Sequence, residues 1–277
     1  MTQPPFWTLH EEACARGETV YIDPQTGFTV FTRLGLLARE RCCGAGCRHC
    51  PFGHESVPVE RRASRIQQPA WLSELRPDPS QTPAVLFWRG GKDSFLALRS
   101  VEREGAFAPV LLTTFDPATR TLAGQGLSVA DVVDQAQNLG LGLIGVPLHD
   151  GVDYAAQIVP AFDLIPDARH VFFPDLGLEP IRQWREATFA GNPETAPMTL
   201  HFPLWGEDYN ALLADLEASG AKCEVSAVTG SVSGMEVGSP FNAQLCERLP
   251  DAVDAFGLNG EFRTRMVFEM RTVTEPN

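Results

Sequence analysis

From residue 84 the chain alternates short apolar runs with amphipathic stretches, and that alternation predicts its elements. "AVLFW" (84–88) is apolar at every position, the pattern of a strand covered on both faces of a parallel sheet. "SFLALRSVERE" repeats its apolar residues at helical spacing and ends at Gly105. "APVLLTTF" reads as a second strand and "SVADVVDQAQNLG" as a helix, with Ser128 as N-cap and Gly140 as its stop. "LGLIGVPL" is a third strand, "VDYAAQIVPAF" a third helix and "RHVFFPD" a fourth strand. A βαβαβαβ rhythm of roughly 25–30 residues per unit predicts an α/β fold, a doubly wound parallel sheet with helices on both faces.

The rhythm changes on either side. After residue 196, "MTLHFPLW", "DYNALLADLEASG", "AKCEVSAVTG" and "GEFRTRMVFEM" predict a smaller C-terminal α/β lobe. Upstream, the prolines of "QQP" and "LRPDPSQTP" favour extended backbone and place a boundary near residue 80. The expected organisation is a cysteine-rich module with its linker over 1–80, the wound domain over 81–195 and the lobe over 196–277.

Composition narrows the class. The 277 residues are 44% hydrophobic and 21% charged, the balance of a globular chain able to bury a core. The N-terminal "MTQPPFWTLHEEACARGETV" lacks the basic start and apolar core of a signal peptide, and "LGLGLIGVPL" is too short to span a bilayer. A cytoplasmic location without a membrane partner is the expectation. The net charge of −13 is unevenly placed: residues 1–80 hold nine Arg and nine acidic residues, leaving 22 − 9 = 13 basic against 35 − 9 = 26 acidic residues beyond them. An acidic body argues against broad nucleic-acid binding, which needs Lys and Arg to displace counterions. Only Lys92 and Lys222 are lysines.

Lys92 falls in "RGGKDS" (89–94), where the first strand becomes a helix. A Walker A loop needs GxxxxGK[ST], and here Asp93 follows the lysine, so this is not a P-loop. Its place is nonetheless where open α/β sheets bind ligands. Gly90 and Gly91 let backbone approach a ligand, Asp93 or Ser94 can cap the helix, the first-turn N–H groups face an anion, and Lys92 adds a point charge.

The string resembles the SGGxDS loop of the PP-loop ATP pyrophosphatases, with Arg89 where that group usually has Ser. "FPDLGLEPIRQWREATF", "FPLWGEDYNALLADLEASGAKCEV" and "FGLNGEFRT" resemble, in order and spacing, successive blocks of the diphthine–ammonia ligase family, over about residues 82–268. The resemblance implies an adenine nucleotide alpha hydrolase-like fold and ATP-dependent amidation: a carboxylate is adenylated, pyrophosphate leaves, and ammonia displaces AMP. It implies ATP at Arg89, Gly90, Gly91, Lys92, Asp93 and Ser94. Catalytic roles fall to Lys92, Asp93, Asp175 and Glu261, with Mg²⁺ on Asp93 and Asp175. Substrate contacts fall to Arg182, Asn259, Gly260, Glu261 and Arg263. Arg182 and Arg185, with Glu179 and Glu186, also read as a solvated helix face with i,i+4 pairs. The last block departs from the family pattern, with Leu258 at an acidic position and Arg263 at a polar one. That exchange favours a carboxylate acceptor more anionic than diphthine.

Residues 42–54, "CCGAGCRHCPFGH", hold Cys43, Cys47, Cys50 and His54 at metal-ligand spacing, with Cys42 and His49 as spares. Four soft ligands suit tetrahedral Zn²⁺, and an Fe–S cluster is the other candidate. With "YIDPQTGFTVFT" before it, the segment resembles a short uncharacterised cysteine-rich domain family. Two further readings stay open: a tRNA-thiolating PP-loop enzyme and a non-catalytic nucleotide-binding sensor.

Overall fold

The computed structural model describes residues 5–23, 28–52, 54–58, 66, 68–75, 77–117, 119–149, 151–229 and 235–268. Glu269 and Met270, the end of the last predicted strand, lie outside them, as does most of the linker over 59–67.

Among the described residues, six strands form the central sheet: β3 (Ala70–Ser73), β4 (Thr82–Phe87), β5 (Phe107–Phe115), β6 (Leu143–Pro147), β7 (His170–Phe172) and β8 (Thr199–His201). Their order is β3-β6-β5-β4-β7-β8, all parallel except β3, which runs antiparallel to β6. Alternation along β4 divides the core. Ala84, Leu86 and Trp88 face one side and pack with Leu96, Leu98, Val129 and Val132 from α3 (Lys92–Glu104) and α4 (Val129–Leu139). Val85 and Phe87 face the other and meet Ile158, Phe162 and Phe189. These come from α5 (Tyr154–Ile158), a 3₁₀ turn (Val159–Leu164) and α6 (Glu179–Ala190). Each buried Val, Leu or Phe contributes about 1.5–3 kcal/mol, so both layers are held by burial.

The helix ends follow their sequence signals. Ser128 and Asp131 form a reciprocal capping box, and Gly105 and Gly140 close their helices in the left-handed region at φ 66° and 70°. The third predicted helix is instead a short α-helix continued as the 3₁₀ turn, because Pro160 removes an N–H.

Two segments fall elsewhere than the sequence pattern placed them. "AWLS", inside the proline-rich linker, is β3, an edge strand of the central sheet. "TLH" is β8, parallel to β7, so the central sheet continues past residue 196. What remains of the C-terminal lobe is α7 (Tyr209–Ala218), the antiparallel pair β9 (Lys222–Val228) and β10 (Phe262–Val267), and the short α8 (Ala243–Cys246). It shares a core with α3: Leu212, Leu216, Val225, Phe262 and Met266 join the cluster around Leu96 and Leu98. Arg99 and Arg103 reach Asp215 on α7 at 2.7 and 2.9 Å.

The N-terminal module packs α1 (Pro5–Ala15), the hairpin β1 (Val20–Ile22) and β2 (Thr29–Phe31), and α2 (Arg33–Leu37) beside the knuckle. Tyr21 Oη lies 2.8 Å from His49 Nε2, and the His10 ring stacks on His49 at 3.7 Å. Arg33 lies 3.8 Å from Asp134 on α4, tying the module to the central domain. Among the described residues no helix is long and apolar enough to cross a membrane.

Candidate functional site

Strand β4 lies between β5 and β7, so the chain winds outward from it in both directions. The gap at the C-terminal ends of β4 and β7 is therefore a topological switch point, where backbone diverges and leaves a crevice. The crevice measures about 290 Å³, near the lower end of the ~300–1,000 Å³ usual for small-molecule pockets.

Its floor is the corner after β4. Gly90 has φ 76°, and a Cβ there would stand 2.7 Å from Leu127 Cδ1 and 2.8 Å from Gln135 Oε1. A Cβ on Gly91 would stand 2.7 Å from Thr264 O. Gln135 Nε2 donates to Gly90 O at 2.9 Å and to Met266 O at 2.8 Å, while Met266 N donates to Gly90 O at 2.8 Å. Gly91 is the N-cap of α3 and offers no side-chain cap, so neither Asp93 nor Ser94 caps the helix. Ser94 Oγ instead accepts from Arg89 N at 2.9 Å. Lys92 N donates to Thr264 Oγ1 at 3.1 Å. The N–H groups of Gly90, Gly91, Asp93 and Ser94 make no hydrogen bond within the described residues. These orphan donors at a helix start favour an anion.

Lys92 departs from the expected role. Its ammonium donates to Phe256 O at 2.6 Å, lies 2.9 Å from Asp93 Oδ1, and has the rings of Phe256, Phe241 and Phe262 at 5.1, 5.3 and 5.6 Å. The side chain is only 3% exposed. Asp254 Oδ1 accepts from Phe256 N and Leu258 N, both at 2.9 Å, and so holds the turn that presents the Phe256 carbonyl. The ammonium locks the 254–264 segment onto the loop.

Besides Lys92, the cations lining the crevice are Arg89, Arg185 and Arg263, against the two carboxylates of Asp93 and Asp175. Arg185 donates through Nε and Nη2 to both oxygens of Asp175, which stands after β7 as expected. Arg89 and Arg263 enter no ion pair among the described residues. With its amide oxygen turned to the guanidinium, Gln125 accepts from Arg89 Nε at 3.1 Å and Nη2 at 2.5 Å. Arg263 Nη1 donates to the carbonyls of Phe262 at 3.0 Å and Gly257 at 3.4 Å. Burial among the crevice walls, then the Arg263 guanidinium, pushes the Arg89 pKa below the usual arginine range. Two guanidiniums thus face one concavity with neutral oxygens as their hydrogen-bond partners, while Asp93 and Asp175 act on Arg89 only from beyond ion-pair distance. A bulge in β10 between Arg263 and Thr264 lets both contribute to the wall, where regular alternation would send them to opposite faces.

Other expected residues lie outside the crevice wall. Arg182 pairs with Glu186 at 2.9 Å and lies over Phe202 and Trp205, while Gln183 donates to Glu179 at 3.0 Å. For these the surface-pair reading fits, and Arg185 is the member of the helix that turns inward. Asn259, Gly260 and Glu261 form a turn beside Arg263 without lining the crevice. Glu261 Oε1 accepts from Asp254 N at 3.0 Å and Asn259 Nδ2 at 3.1 Å. Burial opposes the Glu261 charge, but these donors outweigh it and hold its pKa below the usual carboxylate value. The sequence reading did not single out Gln125 or Trp184. Gln125 had a signal in its flanking Gly124 and Gly126, both at φ 66°. Trp184 had none beyond its place next to Arg185.

For Mg²⁺, the donor set fits in part. Asp93 is a carboxylate at the loop, whereas Asp175 is held through both oxygens by Arg185. One carboxylate suffices where phosphate oxygens and waters complete the octahedron.

In the knuckle, Cys43 and Cys47 bring their sulfurs to 3.5 Å, and Cys42 and Cys50 to 3.9 Å. Both separations are near the ~3.8 Å edge implied by Zn–S bonds of ~2.3 Å at a tetrahedral centre. His54, in the left-handed region at φ 59°, places Nε2 2.7 Å from Cys47 O, so that nitrogen carries the proton. Among the described residues no three His, Cys, Asp or Glu side chains converge into a metal-holding group. The sulfurs are paired rather than gathered in one set. A family of unknown function (DUF5522) matches residues 9–56, the module that carries this knuckle.

Proposed function

We propose that the chain is an ATP-dependent ligase of the PP-loop type, similar to the diphthine–ammonia ligases, acting at the crevice between β4 and β7. The observation that carries the reading is the meeting of four unbonded loop N–H groups with two guanidiniums lacking a carboxylate partner, at a switch point, in a protein of net charge −13. Uncompensated positive charge in an acidic chain is an anion receptor. The strand order and two-sided helix packing suit an adenine nucleotide alpha hydrolase-like sheet.

The chemistry would run in two steps. An acceptor carboxylate oxygen attacks the α-phosphorus of ATP, the bond from that phosphorus to the bridging oxygen breaks, and pyrophosphate leaves with the electron pair. Ammonia then attacks the acyl carbon, the carbon–oxygen bond to AMP breaks, and the amide nitrogen sheds a proton. Orphan N–H groups and Arg89 would neutralise the departing pyrophosphate, a preorganised arrangement that needs no rearrangement as charge develops. Mg²⁺ held near Asp93 would supply further neutralisation of the triphosphate. Arg185, fixed by Asp175, would orient the reacting groups from the β7 side.

One observation favours a second reading. Lys92 is turned into an aromatic nest instead of the crevice, which suits a sensor that binds nucleotide without turning it over. Incubating the protein with Mg-ATP and a small-molecule extract, then measuring AMP, pyrophosphate and new amides, separates the two. AMP formed one-for-one with an amide, and lost in Asp93→Asn, supports the ligase. Tight ATP binding with no AMP supports the sensor, and no nucleotide binding at all removes both.

The knuckle we read as a metal-binding module whose two sulfur pairs close around Zn²⁺ or an Fe–S cluster.

A further inference from the structure

One wall of the crevice is apolar, and nothing in the nucleotide chemistry above uses it. Leu178, Ile181 and Trp184 stand three residues apart, beginning at the N-cap of α6, and all three line the crevice. The spacing keeps them on one helix face. They are 38%, 39% and 44% exposed, although large side chains of this kind are ordinarily withdrawn from water. Tyr154 backs the Trp184 ring at 4.9 Å between centroids. Next along the helix, Arg185 lies over Phe173 at 4.3 Å and is fixed by Asp175, so the wall rests on a braced base.

We propose that this wall, together with Arg263, binds the acceptor, and that the acceptor is a small carboxylate carrying a flat apolar body. The inference rests on the crevice being the site of carboxylate activation. Charge complementarity selects the anionic head. Asp93 and Asp175 each pair with one cation, Lys92 and Arg185, and reach Arg89 only at longer range, whereas the hydrogen-bond partners of Arg89 and Arg263 are carbonyl and amide oxygens. Arg89 belongs to the loop that would face the triphosphate. Arg263 comes from β10, on a different wall, and its planar fork suits a carboxylate bidentately. Shape selects the body: a ring lying on Trp184 between Leu178 and Ile181 would cover the exposed apolar surface and place its carboxylate among the guanidiniums. A cationic acceptor would meet Arg89 and Arg263 as like charges, which excludes it by repulsion.

The test uses the full chain without ATP and measures affinity for benzoate by calorimetry or ligand-observed NMR. Acetate supplies the charge without the ring, and benzamide the ring without the charge. Benzoate should bind at least about tenfold tighter than either. Arg263→Ala should weaken benzoate about tenfold, with partial recovery in Arg263→Lys, and Trp184→Ala about fivefold, with recovery in Trp184→Phe. Thermal melts of all four variants, with the two conservative ones as fallback, separate lost contact from lost fold. For both alanine variants the loss should be larger for benzoate than for Mg-ATP. Benzoate no tighter than acetate overturns the proposal. So does a pair of alanine variants that weaken Mg-ATP and leave benzoate untouched, which would assign the wall to the nucleotide base. Because benzoate is measured without ATP, its failure leaves the adenylation reading standing, whereas a failure to make AMP with benzoate still bound keeps the carboxylate site and removes only its role as acceptor site.

Discussion

Replacing Lys92 by Met tests whether its ammonium holds the fold or grips phosphate. The side chain is 3% exposed, donates to Phe256 O at 2.6 Å and lies 5.1 to 5.6 Å from three ring centroids. Methionine fills similar volume without the charge, so the change removes a charge-assisted hydrogen bond worth about 1.5–3 kcal/mol and leaves the Phe256 carbonyl unpaired. Loss of the cation–π contacts adds about 1 kcal/mol. Against this, the ammonium is no longer desolvated, and Asp93, partly exposed, regains water; that relief is about 1 kcal/mol or more. The net expectation is a loss of about 2 kcal/mol. At about 2–4 °C per kcal/mol for a chain of this size, Tm should fall by roughly 4–8 °C. Urea unfolding should show a lower midpoint at unchanged slope, the mark of a stability change rather than a new denatured state. Mg-ATP affinity should fall by less than about tenfold, because the loop amides remain. An unchanged midpoint with ATP affinity down about a hundredfold would refute the reasoning, since Lys92 would then act on phosphate and not on the 254–264 segment.

Further outcomes follow from the same geometry. Gly91→Ala, with φ −101° and so no backbone strain, should still cost about 1–3 kcal/mol because its Cβ would press to 2.7 Å from Thr264 O; a variant as stable as the parent would show that β10 can retreat. Burial, then Arg33, holds the His10 pKa down to about 4. That ring is neutral in the fold, while the unfolded chain takes a proton below about 6.5. Its contribution is full above pH 6.5 and is lost as pH falls toward 4, by about 3 kcal/mol in all. His10→Phe should flatten that slope in urea midpoints, and an unchanged slope would sink the assignment. Elemental analysis of purified protein should find about one Zn, or about two to four Fe for a cluster, per chain, and folded protein without metal would refute the knuckle reading.

What was legible in the sequence was local. The apolar runs at 84–88 and 108–115 are strands because their side chains on both faces meet helices. Ser128 and Gly140 bound a helix because capping chemistry lies within a few residues. Asp175 was placed correctly by its position after a strand. The edge strands β3 and β8 were missed or assigned elsewhere, since each is three or four residues long and takes its pairing from a distant neighbour. The direction of Lys92 was hidden for the same reason: the nest that receives it comes from Phe241, Phe256 and Phe262, far along the chain. Arg182 and Arg185 look alike in the sequence. Only the packing of α6 against Phe173 decides which of them turns inward.

The stapling of the Gly90–Gly91 corner by β10 bears on how the protein is made. Thr264, which receives Lys92 N, lies 172 residues downstream of it, and Met266 receives Gln135 from 131 residues away. During synthesis the corner emerges early and stands unsupported until β10 has left the ribosome. A nascent chain short of that strand would expose its glycines and arginines with no wall to hold a ligand. On the proposed reading, nucleotide capture would be a property of the finished polypeptide, and added ATP should rescue slow-folding full-length chains while leaving fragments lacking β10 unaffected.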